Sequence, residues 1–305
     1  MTSRISGIAR LTSALAAGTA VWLLTASLAA ADVVGQPTNA AIGLQPADSE
    51  IRRHVAAFHN HILLPVVVLI TLLVAVLLLI CIFRFNHKAN PTPARWSHNT
   101  PIEVLWTVIP VLILVFIAVF SFKLLFEEHD MPRPYMTVKV TGRQWNWDYE
   151  YPDQKIPAYT STPMSQDDAR AKGLPYLLAA DQPMVVPVNK VVRVQVTGED
   201  VIHSFSLPAF GVKIDAVPGR LNETWFKAEH TGTIYGQCSQ LCGLNHAFMP
   251  IEVNVVTQPQ FDAWVASKAP KIASAPTPTP AVAAAAPGIA AVTPVAVALP
   301  GAATR

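Results

Sequence analysis

Two stretches of this chain, Ile62 to Phe83 and Val104 to Phe122, contain no charged residue. About 20 apolar residues rising 1.5 Å each are enough to cross the hydrocarbon core of a bilayer, and in lipid only a helix or a closed barrel pairs every backbone N–H and C=O. The sequence therefore predicts a helical hairpin over residues 62–126, with helices at about 62–83 and 104–126. Pro65 falls in the first turn of the first helix, where a missing N–H costs little, and Pro110 falls inside the second, where a kink is expected. Composition points the same way: only 14% of residues are charged, against roughly 25% in soluble domains.

A third apolar stretch, from about Leu11 to Ala30, follows Arg4 and Arg10 and ends in Ala29-Ala30-Ala31. A basic start, a short apolar centre and small residues at the end describe a secretory signal peptide, here residues 1–31. The loop between the two predicted helices carries Arg84, His87, Lys88 and Arg95, while Glu127, Glu128 and Asp130 follow the second helix. The positive-inside rule puts that loop in the cytoplasm. Arg52 and Arg53 on the other side count against this orientation, and the export signal counts for it. The segment 32–61 and everything beyond the second helix are expected outside.

Residues 136–268 read as an exterior domain. Met136-Thr-Val-Lys-Val-Thr141, Val192-Arg-Val-Gln-Val196 and Ile251-Glu-Val-Asn-Val255 alternate apolar and polar residues, the period of a half-buried strand. Turn signals such as Val217-Pro-Gly-Arg220 separate the strands, so a sandwich or barrel is expected. A short helix from Gln260 to Lys268 should close it. Residues 269–305 form a tail rich in Ala, Pro, Val and Thr with no periodicity, which is expected to be disordered. The formal net charge is only +2, and no basic run is interleaved with aromatics, which excludes nucleic acid as a partner.

The most informative stretch is Cys238-Ser-Gln-Leu-Cys242-Gly-Leu-Asn-His246-Ala-Phe-Met249. It places two thiols, an imidazole and a thioether in one loop, and a second imidazole, His203, follows the Val192–Val196 strand. Soft sulfur and imidazole ligands suit copper. A Cys238–Cys242 disulfide explains neither His246 nor Met249. A structural zinc site of two Cys and two His has no use for Met249. A single type-1 copper, with one Cys, two His and an axial Met, leaves one cysteine unused. Two coppers bridged by both thiolates use every residue, each taking one imidazole, with Met249 and a backbone carbonyl in the weak positions.

The stretch Gly236 to Pro250 resembles the CuA loop of subunit II of the haem–copper cytochrome c oxidases. Gly142-Arg-Gln-Trp-Asn-Trp-Asp-Tyr-Glu-Tyr151, Glu199-Asp-Val-Ile-His-Ser-Phe205 and Asp215-Ala-Val-Pro-Gly-Arg220 extend the likeness, which spans about Ile51 to Lys268. The resemblance implies a membrane-anchored all-β protein: a two-helix transmembrane hairpin followed by a cupredoxin-like Greek-key β-barrel, on the periplasmic side of a bacterial inner membrane. It assigns the copper ligands to His203, Cys238, Cys242, His246 and Met249, with the carbonyl ligand at Gln240. The family usually has Glu there, whose side chain also reaches a magnesium shared with subunit I. A backbone carbonyl survives the change to Gln, whereas the magnesium contact is left open.

By the same resemblance, electrons pass from cytochrome c to the copper centre and on to haem in subunit I, where oxygen is reduced and protons are pumped. Subunit III is a further expected partner. Trp145 matches the exposed Trp that receives the electron, and Glu103 the carboxylate that takes up protons at the cytoplasmic mouth of a channel. Glu150, Asp181 and Asp200 match carboxylates that dock the basic face of cytochrome c, while Arg143 stands where the family has His. The alternating Trp145, Trp147, Tyr149 and Tyr151 are expected on one strand face. A quinol oxidase subunit of the same fold would lack the copper ligands. A membrane-anchored copper chaperone with C-x-x-x-C would be thioredoxin-like, and no C-x-x-C-H marks a fused c-type haem.

Overall fold

The computed structural model describes residues 33–268. The expected signal peptide and the expected disordered tail lie outside the described residues.

Helix α1 (Glu50–Phe58) starts at Ser49, whose hydroxyl accepts the N–H of Arg52 at 3.1 Å. It runs through a π turn, His59–Leu63, into α2 (Leu64–Arg84), giving 35 continuous helical residues. The first helix therefore begins at Glu50 rather than Ile62, and Pro65 lies well inside it rather than in its first turn. Proline offers no N–H to the carbonyl one turn earlier and its ring crowds that carbonyl. The wider turn just before Pro65, where the Leu64 N–H reaches back to the His59 carbonyl, accommodates the defect. Helix α3 (Thr100–His129) follows, unbroken at Pro110. No residue of α2 or α3 is buried, so their apolar side chains face outward, as lipid permits. Two helices of 21 and 30 residues reach about 30 Å and 45 Å, enough to span the core.

The remaining chain forms two five-stranded sheets. The strands are β1 (Met136–Arg143), β2 (Asn146–Tyr151), β3 (Ile156–Ser161), β4 (Met184–Pro187), β5 (Val191–Gly198), β6 (His203–Leu207), β7 (Val212–Ala216), β8 (Asn222–Lys227), β9 (Gly232–Cys238) and β10 (Pro250–Val256). One sheet has the order β3-β2-β1-β5-β8 and the other β4-β10-β9-β6-β7. The pairs β1–β5 and β4–β10 are parallel, while their other neighbours are antiparallel. The β1–β5 register sets Val138 opposite Val194 and Val140 opposite Val196, so the alternating valines of both strands enter one core. Trp147, Tyr149, Phe205, Phe210, Phe226 and Met249 fill the space between the sheets, each contributing about 1.5–3 kcal/mol or more on full burial. This is a cupredoxin-like β-domain carried on two apolar helices.

Two short helices decorate the domain. Helix α4 (Gln166–Lys172) is capped by Ser165 and ends at Gly173 in the left-handed region. Helix α5 (Gln258–Lys268) buries Phe261 and sets Trp264 against Tyr151 at 4.9 Å between ring centroids. The segment before α1 is strapped to the β-domain. Tyr235 donates its N–H to Gly35 at 2.7 Å, Asp48 donates its N–H to Ala209 at 2.8 Å, and the Ser49 hydroxyl donates to the Phe210 carbonyl at 2.7 Å.

One aromatic departs from expectation. Trp147, Tyr149 and Tyr151 share the core face of β2, but Trp145 does not belong to the strand. It sits with Gln144 in the two-residue turn between Arg143 and Asn146, which are paired across β1 and β2. There it is half-buried against the core rather than exposed.

Candidate metal centre

Four segments meet at one end of the sandwich. β6 starts at His203, β9 ends at Cys238, the loop 239–249 leads into β10, and the Gln144–Trp145 turn lies against that loop. Pairing of Phe205 with Cys238 holds β6 and β9 in register, and Ser239 extends it by donating its N–H to Ser204 at 3.0 Å. The Cys238 N–H donates to the Met249 carbonyl at 3.0 Å and ties the loop at its base.

Within this frame the two thiols converge. Cys238 and Cys242 are both free and buried, with their Sγ atoms 3.8 Å apart, far beyond a disulfide bond of about 2.05 Å. The Cys238 thiol lies 3.4 Å from the carbonyl oxygen of Gln240, whose side chain is exposed. Cys242 Sγ lies 3.5 Å from Nδ1 of His246, which sits half-buried in a single 3-10 turn, His246–Phe248. The ligand atoms of His203, Cys238 and Cys242 all fall within 4.8 Å of one another. Met249 is fully buried at the inner edge of the loop.

His203 is fixed from behind. Its ring is fully buried, Nε2 lies 2.9 Å from Asp200 Oδ1, and buried Nδ1 has no hydrogen-bond partner. A proton on Nε2 facing the carboxylate leaves the Nδ1 lone pair free for a ligand, the arrangement that orients metal-bound imidazoles. Asp200 also accepts the N–H groups of Gln144 at 2.7 Å and Val201 at 2.6 Å. Burial opposes its ionisation, but these hydrogen bonds, led by that from His203, lower its pKa. Trp147 packs edge-on to the His203 ring at 5.9 Å, and Gly142 leaves room for both.

The thiols differ in acidity. Burial raises the Cys238 pKa, but the neighbouring His203 ring, the Ser204 and Gln240 backbone and His246 outweigh it and bring it down to about 6. Burial and the neighbouring Cys238 charge push Cys242 up to about 12. The pair thus shares one proton over the neutral range. Burial likewise disfavours the His203 imidazolium, and Cys238 and Asp200 more than offset it, raising its pKa. Buried soft donors, two imidazoles and an unpartnered Nδ1 fit a thiophilic metal such as copper.

The other expected residues fall differently. Trp145 lies beside the loop: a Cβ placed on Gly243 would sit 3.2 Å from its ring. Glu103 is far away, near the opposite end of α3, about 39 Å along a helix of this rise. There its carboxylate accepts the Asn99 N–H at 3.1 Å while Asn99 Oδ1 accepts the Ile102 N–H at 3.3 Å, a reciprocal helix cap. Glu150 pairs with Lys139 at 3.5 Å, and Asp181 accepts both the N–H and the hydroxyl of Thr162, at 2.7 and 2.9 Å. Arg143 pairs with Asp148 at 3.0 Å and with Glu199. Gln144 is a residue that sequence reasoning passed over. Its Nε2 donates to the Cys242 carbonyl at 2.8 Å while its N–H holds Asp200. A neutral residue in a turn carries no signal of such a role, whereas an Asp three residues before a ligand His does.

Residues 136–256 match the family model for the periplasmic domain of cytochrome c oxidase subunit II, and residues 37–124 match the model for its transmembrane domain. Cytochrome c oxidase subunit 2 of Cereibacter sphaeroides is 44% identical over 267 residues, covering 81% of this chain and 88% of the relative. The corresponding subunit of Cyanidium caldarium is 40% identical over 232 residues, covering 74% of this chain and 90% of the relative. Among solved structures, the periplasmic domain of subunit II of cytochrome oxidase of Bradyrhizobium japonicum is 58% identical, covers 45% of this chain and 96% of its own, and superposes with a TM-score of 0.42. The two family models together take in both the apolar helices and the β-domain, and the chain belongs to the cytochrome c oxidase subunit II family.

Proposed function

We propose that this chain holds two copper ions between Cys238 and Cys242 and carries electrons from cytochrome c to the haem of subunit I. Convergence of the two free thiols with His203 and His246 in one buried pocket carries this reading. Held there, copper would supply a one-electron couple. Both cysteines would serve it as thiolates, His203 and His246 as one imidazole each, and Met249 and the Gln240 carbonyl as weak donors. Asp200 anchors the His203 ring from behind through Nε2, which would leave Nδ1 oriented to serve as the ligand atom. Burial of both cysteines and Met249 keeps water from the sulfurs. Magnesium at Gln240 remains outside the assignment, because its side chain offers a neutral oxygen where the family has a carboxylate.

Trp145 is the proposed point of electron arrival. Its ring packs on the loop at Gly243, and the preceding residue donates to the Cys242 carbonyl. The path from Trp145 to the ligand loop therefore crosses one packed contact or one hydrogen bond. Around it, Glu150, Asp181 and Asp200 are the proposed docking carboxylates, each already engaged within the chain. The attraction they exert on a basic donor is correspondingly reduced. Glu103 is proposed to take up protons at the cytoplasmic side for subunit I. Residues 1–31 are proposed to direct export, which leaves the domain 136–268 facing the periplasm of a bacterial inner membrane, alongside subunits I and III.

The test is metal content and colour. The full chain purified after copper loading should hold two coppers and be purple when oxidised. One copper with a type-1 spectrum, or zinc alone, would overturn the assignment.

A further inference from the structure

A cavity of about 360 Å³ opens between α1 and α3 at the outer end of the hairpin, among residues that play no part in the metal centre. Phe58, Ile62, Phe120 and Leu124 supply its apolar walls, and His61 and Lys123 share its polar rim with His54 and Glu127, which pair with each other. The sequence sets its depth. The uncharged runs end at Ile62 and Phe122, so His61 and Lys123 stand where hydrocarbon gives way to headgroups.

Two features separate this cavity from an ordinary gap between helices. First, Lys123 forms no ion pair among the described residues. Its natural partner four residues on, Glu127, is taken by His54 across the helix pair at 2.6 Å. A cation at the edge of the low-dielectric core with its intrahelical partner diverted is a seat for an external anion. Second, the π turn His59–Leu63 carries two of the lining residues, His61 and Ile62. Such turns reshape a helix locally and gather at functional positions.

We propose that this cavity binds one anionic phospholipid of the outer leaflet. Its phosphate is held by Lys123 and a ring N–H of His61, and one acyl chain lies against Phe58, Ile62 and Phe120. A polar head with an apolar chain matches a site that keeps one unpaired lysine at its rim, beside the His54–Glu127 pair, and has aromatic and aliphatic walls. The extra negative charge of an anionic headgroup is what the unpaired lysine selects.

The experiment uses the full chain in its native membrane complex, placed in nanodiscs of phosphatidylcholine with a trace of phosphatidylglycerol bearing a photoactivatable diazirine on one acyl chain. Label should fall on the peptides carrying His61–Ile62 and Phe120–Leu124, and unlabelled phosphatidylglycerol should compete while phosphatidylcholine does not. Lys123→Gln should lower labelling about fivefold, the weight of one lysine at a membrane surface. Ile62→Trp, which fills the cavity and keeps the lysine, should abolish it, and copper content should stay unchanged in both variants. Even labelling along both helices, equal competition by phosphatidylcholine, labelling indifferent to both substitutions, or cross-links from this cavity to a neighbouring subunit in place of lipid would each overturn the proposal.

Discussion

Gly142→Ala tests whether the seat of His203 is as tightly built as its geometry implies. Gly142 lies on β1 just before the Gln144–Trp145 turn. A Cβ there would sit 2.9 Å from Cδ2 and 3.0 Å from Cγ of His203, and 3.0 Å from Cζ3 of Trp147. Carbon atoms prefer separations of about 3.5–4.0 Å. One methyl group must therefore displace one or both rings by roughly 0.5–1 Å, and overpacking of that kind costs about 1–3 kcal/mol. Neither ring yields easily. Trp147 is fully buried and packed edge-on to Phe205 at 5.5 Å, and His203 is held by Asp200. If the imidazole is the ring that moves, Nδ1 leaves its place near the sulfurs, and copper affinity should fall by about 10–100-fold, as when a supporting residue is lost. Chelator competition measures the affinity, and thermal unfolding of the metal-free chain measures the packing cost. Gly43→Ala is the control, since its new methyl would meet nothing within 4 Å. A Gly142→Ala chain with wild-type melting, copper affinity and spectrum would refute the inference that this glycine exists to make room for a ligand.

Three further outcomes are expected. Asp200→Asn, which removes the charge behind His203 while keeping an oxygen, should weaken copper binding about tenfold and shift the visible spectrum; unchanged spectra would separate Asp200 from the ligand set. With Cys238 already ionised above about 6 and Cys242 protonated up to about 12, copper binding near about pH 8 should release one proton from the cysteine pair. As pH falls through about 6 the release should rise, because Cys238 and the upward-shifted His203 then arrive protonated, and calorimetry in buffers of different ionisation enthalpy reads the number. Glu103→Gln keeps an acceptor for the Asn99 N–H, so it spares the helix cap; it should slow turnover of the assembled complex by roughly tenfold or more if the carboxyl carries protons, with copper unchanged. Full turnover would reduce Glu103 to a cap.

The features readable from the sequence are those whose cause is local. The alternating valines of β1, β5 and β10 announce strands because a period of two needs only a few neighbouring residues. The four donors between Cys238 and Met249 announce a metal because they share one loop. The structure departs from the sequence pattern where pattern and element do not share an end. Trp145 keeps the parity of Trp147, Tyr149 and Tyr151, so alternation alone extends the strand through a turn that only the pairing of Arg143 with Asn146 reveals. Polar residues from Glu50 to His61 end the apolar run at Ile62, yet the helix begins at Glu50, because outside the bilayer a helix needs no such run. Asp200 keeps its proposed docking role, and its hold on the His203 ring is visible only once the two side chains are placed in space.

What holds the metal centre in shape is a set of ties between distant parts of the chain. Gln144 is 56 residues from Asp200 and 98 from Cys242, yet it hydrogen-bonds both. Asp200 in turn holds His203, and Cys242 lies beside His246. Each half of the ligand set thus connects to the same two-residue turn, and Trp145 is the other residue of that turn. The ring proposed to receive electrons is therefore fixed by the contacts that fix the ligands. A donor pressing on Trp145 meets a rigid support rather than a mobile side chain. Orientation is then supplied by the fold, and the weakened charge of Glu150, Asp181 and Asp200 need only bring the donor near.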